Sequence, residues 1–247
     1  MLVREVQYLS SKYNIPPTVL RRCIRMTADV HALTPDEVIS AIYDTDGKID
    51  QVCDSSDIGG RPTNEDAHTF ERNSLKRLGE TVVAGIFDGH GGPEVSKILE
   101  EELGTFLEKE LNANLTSAFP SAVSASLVQA IVNFDESLRS RNLHSGSTLN
   151  LVLITRDTIY SANLGDSRTI IFDLQGNILM ETKDHKPSDP SEVRRIEAAG
   201  GRVVVWGVPR VNGNLSLSRA IGDFSETDKP LGRSYSISNV ADVRYIS

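Results

Sequence analysis

The stretch VVAGIFDGHGG, Val82–Gly92, decides the fold. Apolar residues fill most of its first half, and a run of this length is typical of a buried strand. The second half places Asp88 and His90 among glycines, which relax the backbone and let a ligand approach closely. The pattern therefore predicts a core strand that presents a carboxylate and an imidazole to solvent, as a metal ligand beside a proton donor would require. Taken alone, a polar turn from strand to helix explains the stretch equally well.

Composition indicates a globular protein that is not built to bind polyanions. The 247-residue chain is 39% hydrophobic and 24% charged, with a formal net charge of −8. This acidic balance disfavours nucleic acid and anionic membranes, and we expect neither as a partner. No run approaches the roughly 20 apolar residues of a membrane span, and no signal peptide is visible. Cys23 and Cys53 make no disulfide framework. We therefore expect an intracellular protein, in the cytoplasm or the nucleus.

Residues 1–50 are predicted to form an N-terminal helical extension, followed by one main domain over residues 51–247. The segment Thr34–Glu37 has the threonine, proline and acids of a helix start. Val38–Ile42 then supplies an apolar stripe, whereas residues 51–60 shift to small and polar types. Because an apolar stripe is costly to leave in water, we expect the extension to pack on the main domain or to bind a protein partner.

Helices and then strands follow the central stretch. Apolar spacing predicts amphipathic helices over Pro93–Leu111 and Ser121–Leu138. Short apolar runs separated by tight turns between residues 145 and 182 predict an antiparallel meander. A further helix is predicted over Ser191–Ala199, with Gly200 and Gly201 as its C-terminal cap. This order indicates an α+β domain in which helices cover stacked sheets.

Six stretches, in order, resemble the type 2C metal-dependent protein serine/threonine phosphatases, the PPM family. They are Arg61–His68, Val83–Gly92, Ser145–Thr148, Ala162–Arg168, Lys183–Gly201 and Arg210–Asp223. The resemblance implies a four-layer αββα sandwich of two antiparallel sheets flanked by helices. It also implies hydrolysis of phosphoserine and phosphothreonine in phosphoprotein substrates by a metal-activated water.

The same resemblance implies a metal centre with two ions, Mn²⁺ or Mg²⁺. Asp88 would bridge both ions, the Gly89 carbonyl would bind one of them, and Glu65 would hold the other. Asp166 falls where the family can recruit a looser third ion. Oxygen ligands of this kind are the ones that hard divalent cations prefer.

The resemblance assigns the remaining catalytic roles to Arg61, Asp66 and His90. Arg61 would clamp the substrate phosphate, because a guanidinium meets phosphate oxygens in a bidentate fashion. Asp66 would orient metal-bound water. His90 would protonate the leaving serine or threonine oxygen, a task that suits an imidazole with an ordinary pKa near ~6.5.

Other polar residues receive structural predictions. His68, His144 and His185 are predicted to be structural rather than metal ligands. Arg219 and Asp223 are predicted to form a buried polar pair or to stabilise a turn.

The family's pattern continues into D-G-x-W-D and D-N motifs that supply further metal carboxylates, and neither occurs in this sequence. The strand before D-G-x-W-D would fall at Asn239–Ser247. Three interpretations therefore stay open: a phosphatase represented in part, a non-catalytic pseudophosphatase that binds or regulates, or a site completed by another polypeptide. The retained Arg61, Glu65, Asp66, Asp88 and His90 favour an active parent. The sequence names neither the substrate nor the oligomeric state, and it does not choose between Mn²⁺ and Mg²⁺.

Overall fold

A computed structural model describes residues 37–43, 49–173, 175–224 and 236–247. The strands are β1 (Glu37–Tyr43), β2 (Ile49–Ser56), β3 (Ala67–Arg72), β4 (Val82–Phe87), β5 (Gly89–His90), β6 (Gly146–Ser147), β7 (Leu149–Ile154), β8 (Ile159–Leu164), β9 (Ile170–Phe172), β10 (Ile178–Glu181), β11 (Val203–Trp206), β12 (Val208–Val211), β13 (Ile221–Gly222) and β14 (Asp242–Ile246). The α-helices are α1 (Glu94–Asn114), α2 (Pro120–Leu138) and α3 (Pro190–Ala198). None of these helices is long and apolar enough to cross a membrane.

A five-stranded antiparallel sheet, in the order β14-β8-β7-β4-β3, forms the centre of the fold. β4 lies between β3 and β7, as its apolar sequence requires. Along β4 the buried positions are Val83, Gly85 and Phe87, which alternate with half-buried ones, because successive side chains of a strand point to opposite faces. The predicted core strand is therefore confirmed.

Helices α1 and α2 pack together and against this sheet. Their buried apolar residues recur every three or four positions, as one face of an amphipathic helix demands. These residues are Val95, Leu99, Leu103, Leu107 and Leu111 on α1, and Val123, Leu127, Ile131, Phe134 and Leu138 on α2. Phe106 meets Phe134 edge to face, with ring centroids 5.2 Å apart. Both helices are confirmed with ends close to the predicted ones.

A smaller sheet, in the order β13-β6-β5, begins where the large sheet ends. One segment of the chain passes from β4 through Asp88 into β5. The segment paired with it passes from β6 through Thr148 into β7. At the crossing the Thr148 amide donates to the Asp88 carbonyl at 2.9 Å, and the Asp88 amide donates to the Thr148 hydroxyl at 3.0 Å. These two hydrogen bonds fix Asp88 at the junction of the two sheets.

The strands after β8 do not form one continuous meander. β7 and β8 pair as predicted, but among the described strands β9 pairs with β10 alone and β11 with β12 alone. After β8 the chain turns away from the large sheet, and there the Asn150 and Asn163 side-chain amides donate to the Ser167 and Gly165 carbonyls, each at 3.3 Å. The predicted class, α+β with antiparallel sheets and packed helices, is confirmed.

Helix α3 and its caps follow the prediction closely. The Asp189 carboxylate accepts a hydrogen bond from the Ser191 amide at 2.8 Å, which satisfies one free donor at the helix start. At the other end Gly200 has a φ of +80°, and the Gly201 amide donates to the Ile196 carbonyl at 2.9 Å. A left-handed glycine of this kind is the usual helix C-terminal cap.

The predicted helix after Thr34 is wrong for residues 37–43. They form β1, which pairs antiparallel with β2 from Glu37 opposite Ser56 to Tyr43 opposite Ile49. The segment EVISAIY is rich in β-branched residues and ends in an aromatic, and such residues favour strands over helices. The predicted boundary between residues 50 and 51 falls inside β2. The other helical predictions for the extension concern residues 1–36, which lie outside the described residues.

Candidate active site

The site is built on the turn that follows β4. Asp88 is exposed at the end of the strand, and His90, in β5, is half-buried. Gly91 and Gly92 then take φ values of +72° and +132°, which residues other than glycine rarely adopt. The glycines of the central stretch therefore turn the chain sharply from β5 into α1. As a result, a carboxylate and an imidazole two residues apart both lie at the junction of the sheets.

Gly89 brings the loop before β3 against this turn. A methyl group at Gly89 would collide with the Glu65 carbonyl oxygen and would lie 2.9 Å from the Ser96 hydroxyl oxygen. The buried Ser96 hydroxyl itself contacts the Glu65 and Pro93 carbonyls, the latter at 3.0 Å. The backbone of Glu65 is therefore held against the first turn of α1 and beside Asp88.

His90 is paired with Asp223, for which the sequence predicted either a pair with Arg219 or a turn-stabilising role. His90 Nε2 lies 2.9 Å from one Asp223 carboxylate oxygen and 3.1 Å from the other. The predicted pair of Arg219 with Asp223 is wrong, because Arg219 instead donates to the buried carboxylate of Glu192. Arg219 and Asp223 lie four residues apart but have different partners. Arg219 belongs to an ion-pair network with Glu192, and Asp223 pairs with the His90 imidazole.

The surroundings of His90 favour its charged form. Burial of the ring opposes protonation, but the hydrogen bond to Asp223 and the negative charges of Asp223, Asp88 and Asp166 outweigh it. Together they raise the pKa of His90 above its ordinary value. The ring therefore carries a proton over a wider range of pH than an isolated imidazole.

Asp166 lies close enough to influence His90, and it has a cationic partner of its own. Its carboxylate forms an ion pair with Lys186. The neighbouring Gly165 amide donates to Nδ1 of the buried His185 at 3.1 Å. This hydrogen bond confirms the predicted structural role of His185 and fixes the turn that carries Asp166.

The other predicted residues occupy the loop before β3 and the surface. Arg61 is exposed, and within the described residues its guanidinium forms no ion pair. Asp66 is half-buried, and its amide donates to the Asn64 side chain at 3.0 Å. His68 lies 3.7 Å from the Asp54 carboxylate, and His144 is exposed in the loop before β6.

The described part of the chain contains no group of three or more His, Cys, Asp or Glu side chains placed to hold a metal ion. The donor chemistry nevertheless fits a divalent cation. Asp88 is an exposed carboxylate, Glu65 is held nearby through its backbone, and both Asp88 and Asp166 act on the charge of His90. Mg²⁺ commonly uses one or two carboxylates and completes its shell with water, and carboxylates are the donors that these residues carry.

Several contacts that shape the site had no local signal in the sequence. Asp223 meets His90 across 133 positions of the chain. Ser96 could have been noticed only as a small polar residue in the first turn of an otherwise amphipathic helix. Lys186 lies in a stretch that matched the family, but its partner Asp166 is 20 residues away in another turn.

Comparison with known sequences identifies one family. The profile described as "Protein phosphatase 2C" matches residues 54–246. The chain is 37% identical over 177 residues to "Probable protein phosphatase 2C 2" of Paramecium tetraurelia, covering 67% of this chain and 56% of the relative. It is 36% identical over 180 residues to "Protein phosphatase 2C homolog 2" of Saccharomyces cerevisiae, covering 70% of this chain and 37% of that protein. The chain thus spans about half the length, or less, of these relatives.

Solved structures show the same architecture. A sex-determining protein of C. elegans superposes with a TM-score of 0.62 at 27% identity, covering 85% of this chain and 48% of that one. A phosphatase from a pathogenic strain of Toxoplasma gondii superposes with a TM-score of 0.60 at 24% identity, covering 85% of this chain and 71% of that one. The second likeness concerns the fold alone.

Proposed function

The chain belongs to the protein phosphatase 2C family, and from that premise we propose that it hydrolyses phosphoserine and phosphothreonine in phosphoproteins with the help of divalent cations. The observation that carries the proposal is the His90–Asp223 pair beside exposed Asp88 at the junction of the two sheets. Hydrolysis of a phosphomonoester needs stabilisation of negative charge and a proton for the leaving oxygen, and this site offers groups for both.

In the proposal Asp88, Glu65 and the Gly89 carbonyl hold the cations, which are Mn²⁺ or Mg²⁺, with two ions expected. Bound cations of this kind supply Lewis-acid activation of water and of the phosphate. Asp66 lies next to Glu65 and would orient water in the site. Asp166 would contribute to a looser cation, in competition with the ammonium group of Lys186.

His90 is proposed as the general acid. Nε2 faces the Asp223 carboxylate, so the proton on that nitrogen is held there and Nδ1 remains to serve the substrate. The raised pKa of His90 favours the protonated ring over the neutral one at a given pH. A serine or threonine alkoxide is a poor leaving group, and protonation as the bond to phosphorus breaks removes that barrier.

Arg61 is proposed to bind the phosphate of the substrate. Its side chain is exposed, and it has no ion pair with the described residues to compete for the guanidinium. The planar fork of a guanidinium can donate two parallel hydrogen bonds to phosphate oxygens. We further propose that the protein works inside the cell, and that the N-terminal extension, residues 1–50, packs on the domain or binds a protein partner.

The proposal is tested by release of inorganic phosphate from a phosphothreonine peptide by the full-length protein. We expect release with Mn²⁺ or Mg²⁺, and loss of release on chelation. His90→Asn should lower kcat by a factor on the order of 10² or more. Asp157→Asn, at the exposed turn between β7 and β8, is the control and should leave kcat unchanged. Absence of metal-dependent release, or equal rates for parent and His90→Asn, would overturn the proposal.

A further inference from the structure

Asp135 is a buried carboxylate on α2 that holds two other segments of the chain. Its side chain is almost completely buried, with the residue 2% exposed. One carboxylate oxygen accepts a hydrogen bond from the Gly222 amide at 2.8 Å, and the other accepts from the Asn239 side chain at 2.8 Å. Burial of a carboxylate is costly, and here burial raises the pKa of Asp135 to about 6. An apolar residue would pack at this helix position without that cost. The carboxylate instead holds two other segments in place through directed hydrogen bonds.

One of the two hydrogen bonds to Asp135 comes from Gly222, the residue before Asp223. Gly222 is the last residue of β13 and lies opposite Gly146 of β6. Asp223 itself has a φ of +56°, a conformation that a residue with a side chain adopts only when its surroundings impose it. Its amide donates to the Ser145 carbonyl at 3.2 Å, and its carboxylate meets His90. The backbone that determines this geometry is therefore anchored from α2 on one side.

The space beside this anchor is incompletely packed. A small cavity is lined by Asp135, Arg139, Asp223 and Phe224, and the Arg139 guanidinium lies 4.6 Å from the centroid of the Phe224 ring. The hydrogen bond from the Gly222 amide to Asp135 holds the end of β13 beside this cavity.

We infer that Asp135 is a positioning residue for the His90 proton donor: it holds Gly222 so that the Asp223 carboxylate meets the His90 ring. The inference rests on the proposed function, because the proton-donating role of His90 belongs to that proposal. Asp135 acts through two other residues and does not itself contact substrate.

Leaving-group dependence separates this role from a merely structural one. Phenolate leaves from phenyl phosphate only with help from an acid, whereas 2,4-dinitrophenolate is a stable anion that leaves from its phosphate ester without a proton. Loss of the proton donor should therefore slow phenyl phosphate hydrolysis much more than 2,4-dinitrophenyl phosphate hydrolysis. General disorder of the site should slow both equally.

The experiment compares kcat on both substrates for four full-length proteins: parent, His90→Asn, Asp135→Leu and Glu136→Gln. Asp135→Leu removes both hydrogen bonds at similar volume and should slow phenyl phosphate hydrolysis about tenfold, with at most about a threefold effect on the dinitrophenyl ester. Glu136 is the next residue on α2 but is exposed and paired with Arg139, so Glu136→Gln should leave both rates unchanged. Asp135→Asn, which keeps the shape and one acceptor, should show a smaller loss with the same selectivity.

The outcomes distinguish the inference from the proposed function. If His90→Asn is selective for phenyl phosphate while the Asp135 variants slow both esters equally or neither, the positioning role of Asp135 is wrong and the proposed function stands. If Asp135→Leu does not fold, the same comparison is decided by Asp135→Asn. If the parent hydrolyses neither ester, or His90→Asn shows no selectivity, the proposed function fails and the inference falls with it.

Discussion

His185 makes folding stability sensitive to acid in a way that can be calculated. Its Nδ1 accepts the Gly165 amide hydrogen, so the fold requires the neutral ring. Burial, followed by the positive charge of Arg219, lowers the pKa of His185 to about 4. The pKa of His185 is thus lower in the folded chain than in the unfolded chain, where it is about 6.5. The contribution of the neutral ring to the free energy of unfolding is therefore complete above that pH and is lost as pH falls toward 4.

The size of the loss follows from the two pKa values. One unit of pKa difference corresponds to about 1.36 kcal/mol. Between about pH 7.5 and about pH 4.5, linkage gives a decrease of about 2.5 kcal/mol in the free energy of unfolding from His185 alone. His185→Gln removes this titration, and its side-chain oxygen can accept the same amide hydrogen.

The assay is urea unfolding at these two pH values for parent, His185→Gln and the control His144→Gln. His144 is exposed, so its variant should show the same acid loss as the parent. Between the two pH values, the free energy of unfolding of the parent should fall by about 2.5 kcal/mol more than that of His185→Gln. Equal decreases in the free energy of unfolding of the parent and of His185→Gln would show that His185 is not held as a neutral, buried imidazole.

Three further predictions concern the packing around the site. Because burial raises the pKa of Asp135 to about 6, the stability of the parent relative to Asp135→Asn should increase by about 2 kcal/mol as pH falls from about 7 to about 4, measured by urea unfolding. Gly89→Ala should destabilise the fold by about 1–3 kcal/mol in thermal unfolding, whereas Gly60→Ala, where a methyl group meets nothing within 4 Å, should not. Glu192→Gln should cost about 3–5 kcal/mol, since it removes a buried carboxylate that pairs with two half-buried arginines, while the surface variant Glu102→Gln should cost about 1 kcal/mol or less in the same denaturant assay.

The sequence predicted the elements that depend on local periodicity. β4, α1, α2 and α3 were predicted near their observed ends because their apolar spacing and caps lie within each segment. β1 was missed because apolar residues in a short segment fit both a helix and a strand, and pairing with β2 decided the outcome. Periodicity therefore predicts an element well only where no distant partner competes.

The sequence predicted that Asp88, Gly89 and His90 lie together, but it did not predict the contacts that hold them. Asp88, Gly89 and His90 are adjacent in the sequence, so one stretch sufficed to predict them together. The hydrogen bonds from His90 to Asp223 and from Asn239 to Asp135 join residues 133 and 104 positions apart, and no local pattern encodes such contacts. The sequence therefore predicted which groups lie together in the candidate site, and only the fold revealed the contacts that orient them.

Asp88 is proposed to anchor a divalent cation beside the proton donor, and calorimetric titration with Mn²⁺ measures that binding. The full-length parent should bind Mn²⁺, and Asp88→Asn should weaken binding by a factor of about 10 or more, because a carboxylate is a far better ligand for a hard cation than an amide. Glu65→Gln should weaken binding less, since Glu65 is proposed to serve one ion only, and Asp157→Asn should bind as the parent does. Equal Mn²⁺ affinity of the parent and Asp88→Asn would contradict the account.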